Sequence, residues 1–422
     1  MHILLVGGGA REHALAWKIA QSPLVTTLTM VPRNPGMMGL GEEADLTIDE
    51  IPDYAQTYGV DLVVVGPEAP LADGLADRLY EAGIPCFGPN QAAAQLETSK
   101  AFTNALCVEN NIPAPAYVKF TDANAAKAYL QNLPAPYVIK ADGIAAGKGV
   151  VIAPTLPEAE ETVETMLAGQ FGAASQTIVI EEFLTGPEIS VFALTDGKTL
   201  LPFGSAQDHK RAFDGDQGPN TGGMGGFSPS PLFTPELEEE VYETIIQPTL
   251  NALQAKGITY RGVMYAGLML TDQGPKLIEY NCRFGDPECQ MLLRRLKSDL
   301  VPALLGAARG GIEDLTLEWD TSAAANIVYA TKGYPGPYNK GSAVHHIERA
   351  EAERVVVFHA GTKKVGDTLT AQGGRVLNVT ALGKDIGDAL DKAYQAIAEI
   401  DWPKGFYRKD IGQKYRSREG ER

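Results

Sequence analysis

Lys140-Ala-Asp-Gly-Ile-Ala-Ala-Gly-Lys-Gly-Val150 decides how the middle of the chain is read. It is the turn of a strand, Gly-rich loop, strand unit over 137–153, followed by an expected helix over 157–168 and strands over 177–184 and 188–195. Together these predict a small α+β module. The loop looks like a Walker A sequence but fails as one. Only three residues separate Gly143 from Gly147, Gly149 stands where Ser or Thr would bind magnesium, and a strand follows instead of a helix. It still has the properties of a phosphate cradle. Small residues let backbone N–H groups approach phosphate oxygens, glycines let the loop open and close, and Lys140 and Lys148 supply positive charge. The alternative is a solvated hairpin tip. Lys140 argues against that, because it sits inside an apolar strand where an ammonium is costly without a partner.

Upstream, residues 1–95 alternate β-rich runs with helical stretches: strands at 2–6, near 25–31, 61–65 and 84–87, and helices from Arg11 and over 71–82. This βαβ alternation predicts a parallel sheet covered on both faces. Ligands then bind outside the carboxyl ends of the strands, where Gly7-Gly-Gly-Ala10 and Gly66-Pro-Glu-Ala-Pro70 fall. The first loop invites a dinucleotide reading, but the third glycine of that fingerprint falls on Glu12, and Val31-Pro-Arg33 replaces the expected acid. A helix start after Gly9, with Arg11 beside it, suits a substrate phosphate better than a pyrophosphate; a merely tight strand-to-helix turn is the alternative. A helical stretch over 91–110 stops at Asn110-Asn-Ile-Pro-Ala-Pro115, a terminator and linker.

Downstream, residues 207–231 read as a loop dense in Gly, Pro, Asp and Asn, longer than a compact domain needs. A helix around 235–256 precedes an expected hairpin, with 261–270 and 275–281 flanking Thr271-Asp-Gln-Gly274. In Leu277-Ile-Glu-Tyr-Asn-Cys-Arg283, alternation places Glu279, Asn281 and Arg283 on one face. A carboxylate and an amide oxygen are hard ligands for Mg²⁺ held together with nucleotide phosphates, and the guanidinium can grip a carboxylate or phosphoryl oxygen. A structural salt bridge from Glu279 to Arg283 is the plainer alternative. Asp286 and Glu288 add acidity nearby; residues 288–309 look helical, and strand signals resume from 322.

Composition narrows the classes. Among 422 residues, 36 Lys+Arg against 53 Asp+Glu leave a formal charge of −17, which argues against a nucleic-acid binder. With 44% hydrophobic and 21% charged residues, the chain is ordinary for a soluble protein of two to four domains. No apolar run approaches the roughly 18 residues of a membrane helix, so no membrane partner is expected. Met1-His-Ile-Leu-Leu-Val6 lacks a basic n-region and reads as a first strand, so a cytoplasmic location is expected. Cys86, Cys107, Cys282 and Cys289 show no paired spacing and are expected as free thiols.

The motifs resemble those of glycinamide ribonucleotide synthetases, in the ATP-grasp superfamily, over nearly the whole length. They are Arg11-Glu-His-Ala14, Gly66-Pro-Glu-Ala-Pro-Leu71, Ser99-Lys-Ala-Phe102, Lys140 to Val150, Ile180-Glu-Glu-Phe-Leu184, Gln207-Asp-His-Lys-Arg211, Gly218-Pro-Asn-Thr-Gly-Gly-Met-Gly225, Asn281-Cys-Arg-Phe-Gly-Asp-Pro-Glu288 and Arg408-Lys-Asp-Ile-Gly412. The resemblance implies a multidomain α/β fold: an N-terminal parallel α/β domain over 1–98, an ATP-grasp α+β core over 99–310 with a mobile lid at about 115–185, and a small C-terminal α+β domain over 320–422. It implies that Lys100 and Lys140 contact ATP phosphates and that Lys148 rides the mobile loop and shares in catalysis. Glu181, Glu182, Phe183 and Leu184 would form the adenine hinge, Glu188 would take the ribose, and Arg211 and Asn220 would complete the ATP site. Glu279 and Asn281 match Mg²⁺ or Mn²⁺ ligands, and Arg283 a catalytic stabiliser of oxyanion and phosphoryl charge. Gly8, Gly9, Arg11, Glu68, Asp208 and Asp286 would touch substrate. The implied reaction phosphorylates the carboxylate of glycine, then lets the amine of 5-phosphoribosylamine attack the acyl phosphate; a monomer is expected.

That chemistry suits the residues, because phosphoryl transfer to a carboxylate needs charge neutralisation and in-line positioning more than a protein nucleophile. His13 and His209 can touch substrate or serve as hydrogen-bonding structural groups. Another ATP-grasp ligase or a biotin-type carboxylase would need different acceptor residues. A protein that binds ATP without turnover fits poorly with the Lys148 loop and the Glu279, Asn281, Arg283 face.

Overall fold

The computed structural model describes residues 1–144, 149–352 and 354–416. Its first sheet has five parallel strands in the order Glu42–Glu43, Thr27–Val31, His2–Val6, Leu62–Val65, Cys86–Phe87. His2–Val6 lies in the middle, so both its faces are covered, and Ile3, Leu4 and Leu5 are fully buried. Its two neighbours leave by loops on either side, which opens a crevice beyond its carboxyl end. The two glycine loops meet there, with Gly7 N–H donating to Val31 O at 2.8 Å and Gly66 N–H to Val6 O at 3.0 Å.

The module read from the Lys140–Val150 stretch is a four-stranded antiparallel sheet, ordered Tyr117–Phe120, Ile178–Glu181, Tyr137–Ala141, Val150–Ala153. Helices Ala123–Leu130 and Leu156–Leu167 close its own core, in which Ala126, Ile139, Val163 and Ile180 are buried. The other face of this small sheet is turned to the rest of the protein.

The largest sheet runs Gly274–Asn281, Gly262–Thr271, Glu188–Thr195, Leu200–Asp208, Gly225–Ser228, Ala323–Thr331, Arg375–Gly383, Val355–His359. It continues from the central part of the chain into the C-terminal part without a break. The joint is Gly225–Ser228, which pairs with Leu200–Asp208 on one side and Ala323–Thr331 on the other. Residues 207–231 are therefore more ordered than their composition suggests. They supply that joining strand and a small hairpin, Arg211–Phe213 with Gln217–Asn220.

Several expected helices are broken, each for a local reason. The stretch over 71–82 is two helices, Glu68–Ala72 and Leu75–Glu81, separated at Gly74, whose φ of +77° favours glycine. The stretch over 91–110 breaks at Ser99, which is extended and accepts Phe102 N–H on its hydroxyl, capping the second helix, Lys100–Glu109. Such a cap contributes about 1 kcal/mol and here places Lys100 at the first helical position. The region 288–309 likewise divides into Glu288–Arg295 and Leu300–Arg309. All four cysteines are free and buried, and among the described residues no helix is long and apolar enough to cross a membrane.

Candidate functional site

A cleft of about 2020 Å³ runs between the small lid sheet, the large sheet and the crevice of the N-terminal domain. It brings together Arg11, Glu68, Lys100, Lys140, Glu181, Glu182, Phe183, Leu184, Glu188, Asp208, Arg211, Asn220, Glu279, Asn281, Arg283 and Asp286. Gly8 and Gly9 do not line it, and Lys148 lies outside the described residues.

Lys140 finds the partner its apolar surroundings demand. Its Nζ lies 2.6 Å from Glu181 Oε2, with both side chains almost fully buried, and Asn104 Nδ2 donates to Glu181 Oε1 at 2.9 Å. The two residues come from neighbouring strands of the lid, Tyr137–Ala141 and Ile178–Glu181. Glu181 is thus a carboxylate held by Lys140, while Phe183 and Leu184 continue the cleft wall beyond it. Lys100 lies on the same side, its ammonium pKa lowered by burial against the pull of Glu279. Asp142 ties the lid turn to it, accepting from Ser99 Oγ at 3.1 Å and from Ala101 N–H at 3.0 Å.

The Glu279 strand ends at Asn281, two residues earlier than Arg283. Glu279 and Asn281 still line the cleft, while the buried Tyr280 hydroxyl donates to Thr249 Oγ1 at 2.9 Å. Burial would raise the Glu279 carboxyl, but Lys210, Lys140, Lys100 and Arg283 outweigh it and hold it below the usual carboxylate range. Glu279 therefore stays ionised. No salt bridge joins it to Arg283. Arg283 is instead gripped by Glu68 Oε2 at 3.1 Å and by Glu97 Oε1 at 2.9 Å, while Glu97 Oε2 also accepts Cys282 N–H at 2.8 Å. These carboxylates outweigh the effect of burial and raise the Arg283 pKa, so its planar group is fixed in position and permanently charged.

Lys210 fills the gap between two expected ligand groups: its Nζ lies 2.9 Å from Glu188 Oε2 and 3.8 Å from Glu279 Oε1. Burial would lower its ammonium, yet Glu188, Glu279 and Asp208 raise it well above the lysine range. Beneath it, burial and then Glu288 push the Asp208 carboxyl up to about 8. Glu288 is also raised by burial, and accepts from Tyr265 Oη at 3.0 Å. Asp286 goes the other way. Arg375 and Arg11 outweigh its burial, Arg375 Nη1 lying 3.3 Å from its carboxylate, and hold it down.

At the N-terminal glycine loop, part of the helix start is occupied from within the chain. Gly9 N–H donates to Glu12 Oε2 at 2.8 Å, and Arg11 Nε donates to Glu12 Oε1 at 2.6 Å, so the chain supplies its own anion there. The glycines exist to accommodate it. A Cβ on Gly7, Gly9 or Gly66 would come within 2.6, 2.7 or 2.2 Å of the Glu12 side chain. Arg11, with Nη1 donating to Phe284 O at 3.1 Å, still reaches the cleft.

Three family models match consecutive parts of the chain: phosphoribosylglycinamide synthetase N domain over 1–97, ATP-grasp (A) domain over 98–289 and C domain over 324–414. The phosphoribosylamine–glycine ligase of Rhizobium meliloti is 53% identical, over 99% of this chain and 100% of that one. The chain belongs to the phosphoribosylglycinamide synthetase family. A second relative bearing the same name, from Escherichia coli, is 49% identical over 99% of this chain and 100% of that one. Among solved structures, the phosphoribosylamine–glycine ligase of Thermotoga maritima superposes with a TM-score of 0.85 at 30% identity, covering 97% of this chain and 100% of that one. A biotin carboxylase from Campylobacter jejuni shares the fold alone, with a TM-score of 0.73 at 15% identity over 94% of this chain and 91% of that one.

Of the residues lining the cleft, Glu97, Lys210 and Arg375 went unread in the sequence, and Glu288 was read only as added acidity. Lys210 and Glu288 lie inside quoted motifs, which was the available signal. Glu97 and Arg375 lie outside any motif and act through partners far along the chain. The two motif histidines also take hydrogen bonds within the chain, His209 from a position on the cleft wall. His13 Nδ1 accepts His359 N–H at 2.8 Å, and burial lowers its pKa to about 3; His209 Nε2 accepts Gly412 N–H at 3.3 Å. Both rings join the C-terminal part to the rest of the molecule.

Proposed function

We propose that the cleft carries out the ligation of glycine to 5-phosphoribosylamine at the expense of ATP, giving glycinamide ribonucleotide, ADP and phosphate. The observation that carries this reading is the convergence of Lys100, Lys140, Lys210, Glu279 and Arg283 on one cleft, within a chain whose full-length relatives bear the name phosphoribosylamine–glycine ligase. ATP lies between the lid and the large sheet, with Lys100 and Lys140 on its phosphates, Glu188 on its ribose, residues 181–184 at the adenine, and Arg211 and Asn220 at the outer rim. Lys148 is assigned to the phosphates on the sequence pattern alone.

Among the described residues, no group of three or more His, Cys, Asp or Glu is placed to hold a metal ion by protein alone. The donor set fits an ion shared with phosphates: Glu279 is ionised and Asn281 presents an amide oxygen two residues along the same face. These two would hold Mg²⁺ or Mn²⁺, which would neutralise phosphate charge.

Arg283, fixed by Glu68 and Glu97, holds the glycine carboxylate for attack on the γ-phosphorus. The bond to ADP breaks as the bond to the carboxylate oxygen forms. The amine of phosphoribosylamine then attacks the acyl carbon, the nitrogen loses a proton, and phosphate leaves with the oxygen that came from glycine. Arg11 and Asp286 line the side of the cleft where that amine donor fits. Glycine labelled with ¹⁸O in its carboxylate tests the route. The acyl phosphate route transfers one label into released phosphate, whereas unlabelled phosphate would overturn it.

A further inference from the structure

The segment after the last long helix reaches back to the rim of the ATP cleft. Arg408, only 1% exposed, donates through Nε and Nη2 to the two carboxylate oxygens of Asp410, each at 2.7 Å. Its remaining nitrogen, Nη1, leaves the C-terminal part and donates to Asp216 Oδ1 at 2.8 Å and to Arg211 O at 3.0 Å. Asp410 completes the link by accepting Gly215 N–H at 2.8 Å. Both ends of one small hairpin are thereby held.

That hairpin is the pair Arg211–Phe213 and Gln217–Asn220, in which Arg211 and Asn220 face each other across the strands. Asp216 sits at its tip with a φ of +53°, a left-handed conformation that costs an aspartate free energy. Nothing about its own exposure requires that shape, since its side chain is 69% exposed. The conformation does aim the carboxylate at Arg408. On the far side, Tyr394 on helix Ile386–Ala398 donates to Arg408 O at 2.9 Å and accepts Ile411 N–H at 3.0 Å, so the arginine is anchored to a rigid element.

We propose that Arg408, with Asp410 and Asp216, is a positioning clamp through which the C-terminal part sets the geometry of the Arg211–Asn220 hairpin and hence nucleotide affinity. This rests on the assignment of Arg211 and Asn220 to ATP above. Arg408 borders the cleft but is only 1% exposed, so it acts by removing freedom from the two residues assigned to ATP, and losing it weakens nucleotide binding and leaves the glycine end of the cleft alone.

The test uses the full chain with Asp216→Ala, Arg408→Lys and the double variant, titrated with Mg·ADP by calorimetry and assayed for the KM of glycine. Lysine at 408 keeps the charge but cannot hold Asp410 and Asp216 together. Each single variant is expected to weaken ADP binding by about tenfold, with the KM of glycine within about twofold of the parent. The double variant is expected to be no worse than the singles, because both remove one unit. Arg211→Ala runs alongside. If it weakens ADP binding while Asp216→Ala and Arg408→Lys do not, or while their effects simply add, the clamp is refuted and the hairpin assignment stands. If Arg211→Ala and Asn220→Ala both bind ADP like the parent, the hairpin assignment itself fails.

Discussion

Replacing Glu181 by alanine would leave the Lys140 ammonium buried with Ile278 O, at 3.3 Å, as its hydrogen-bond partner and Glu279 as the opposite charge beyond it. The pair has N–O separation 2.6 Å and side chains only 5% and 3% exposed, so solvent cannot step in as screening. Removing one member of such a pair costs about 3–5 kcal/mol, most of it the desolvation of the orphaned charge. The loss should localise to the lid, because Lys140 and Glu181 both belong to its sheet. Trp17, Trp319 and Trp402 all lie outside that sheet, so fluorescence would miss it. Hydrogen exchange on the Tyr137–Ala141 and Ile178–Glu181 amides is the direct assay. At about 1.4 kcal/mol per factor of ten, protection should fall by roughly 10² to several times 10³. Lys140→Met combined with Glu181→Met removes both charges and should recover most of the protection, while nucleotide binding should stay weak on the proposed assignment of Lys140 to the phosphates. A single Glu181→Ala variant whose lid exchanges less than about fivefold faster would refute the idea that each charge depends on the other.

Three further outcomes follow from the same geometry. The Asp208 carboxyl is pushed from 3.8 up to about 8, so in that window the folded protein holds a proton the unfolded chain has released, and stability falls as pH rises. Asp208→Asn should flatten that fall in denaturation across the window; an unchanged slope would mean the carboxyl is ionised. His13 runs in the opposite sense: with its pKa lowered from 6.5 to about 3, the unfolded chain binds the extra proton, and stability falls as pH drops below about 6.5. His13→Asn can still accept His359 N–H and should reduce this acid sensitivity, which pH-dependent melting would reveal. In Gly66→Ala the new Cβ would lie 2.2 Å from Glu12 Oε1, so about 1–3 kcal/mol of stability should be lost and Arg11 displaced. An unchanged melting temperature and KM for phosphoribosylamine would contradict the role given to Glu12.

The sequence made some of this plain and hid the rest for identifiable reasons. Period-2 and βαβ patterns exposed both glycine turns, the parallel first sheet and the Glu279 hairpin, because these depend on neighbours in the chain. Lys140 could be read as needing a partner, but which residue would supply it depended on strand pairing in the lid. Glu97 was invisible for a similar reason: it fixes Arg283 and Cys282 from a helix far upstream. Glu12 stands three residues after Gly9, in the capping position, and its carboxylate accepts Gly9 N–H there. Residues 207–231 looked like loop because Gly, Pro, Asp and Asn crowd them. Gly225 and Gly226 are glycine because another backbone passes close by: a Cβ would meet Asn326 O at 2.4 Å and Gln207 O at 2.1 Å, respectively.

The central claim is most directly tested by ADP release from the purified chain with ATP and Mg²⁺, adding glycine and freshly generated phosphoribosylamine separately and together. The account predicts sustained release only with both, and a product with the mass of glycinamide ribonucleotide. Sustained release that ignores glycine, or that replaces it equally with another carboxylate, would contradict it.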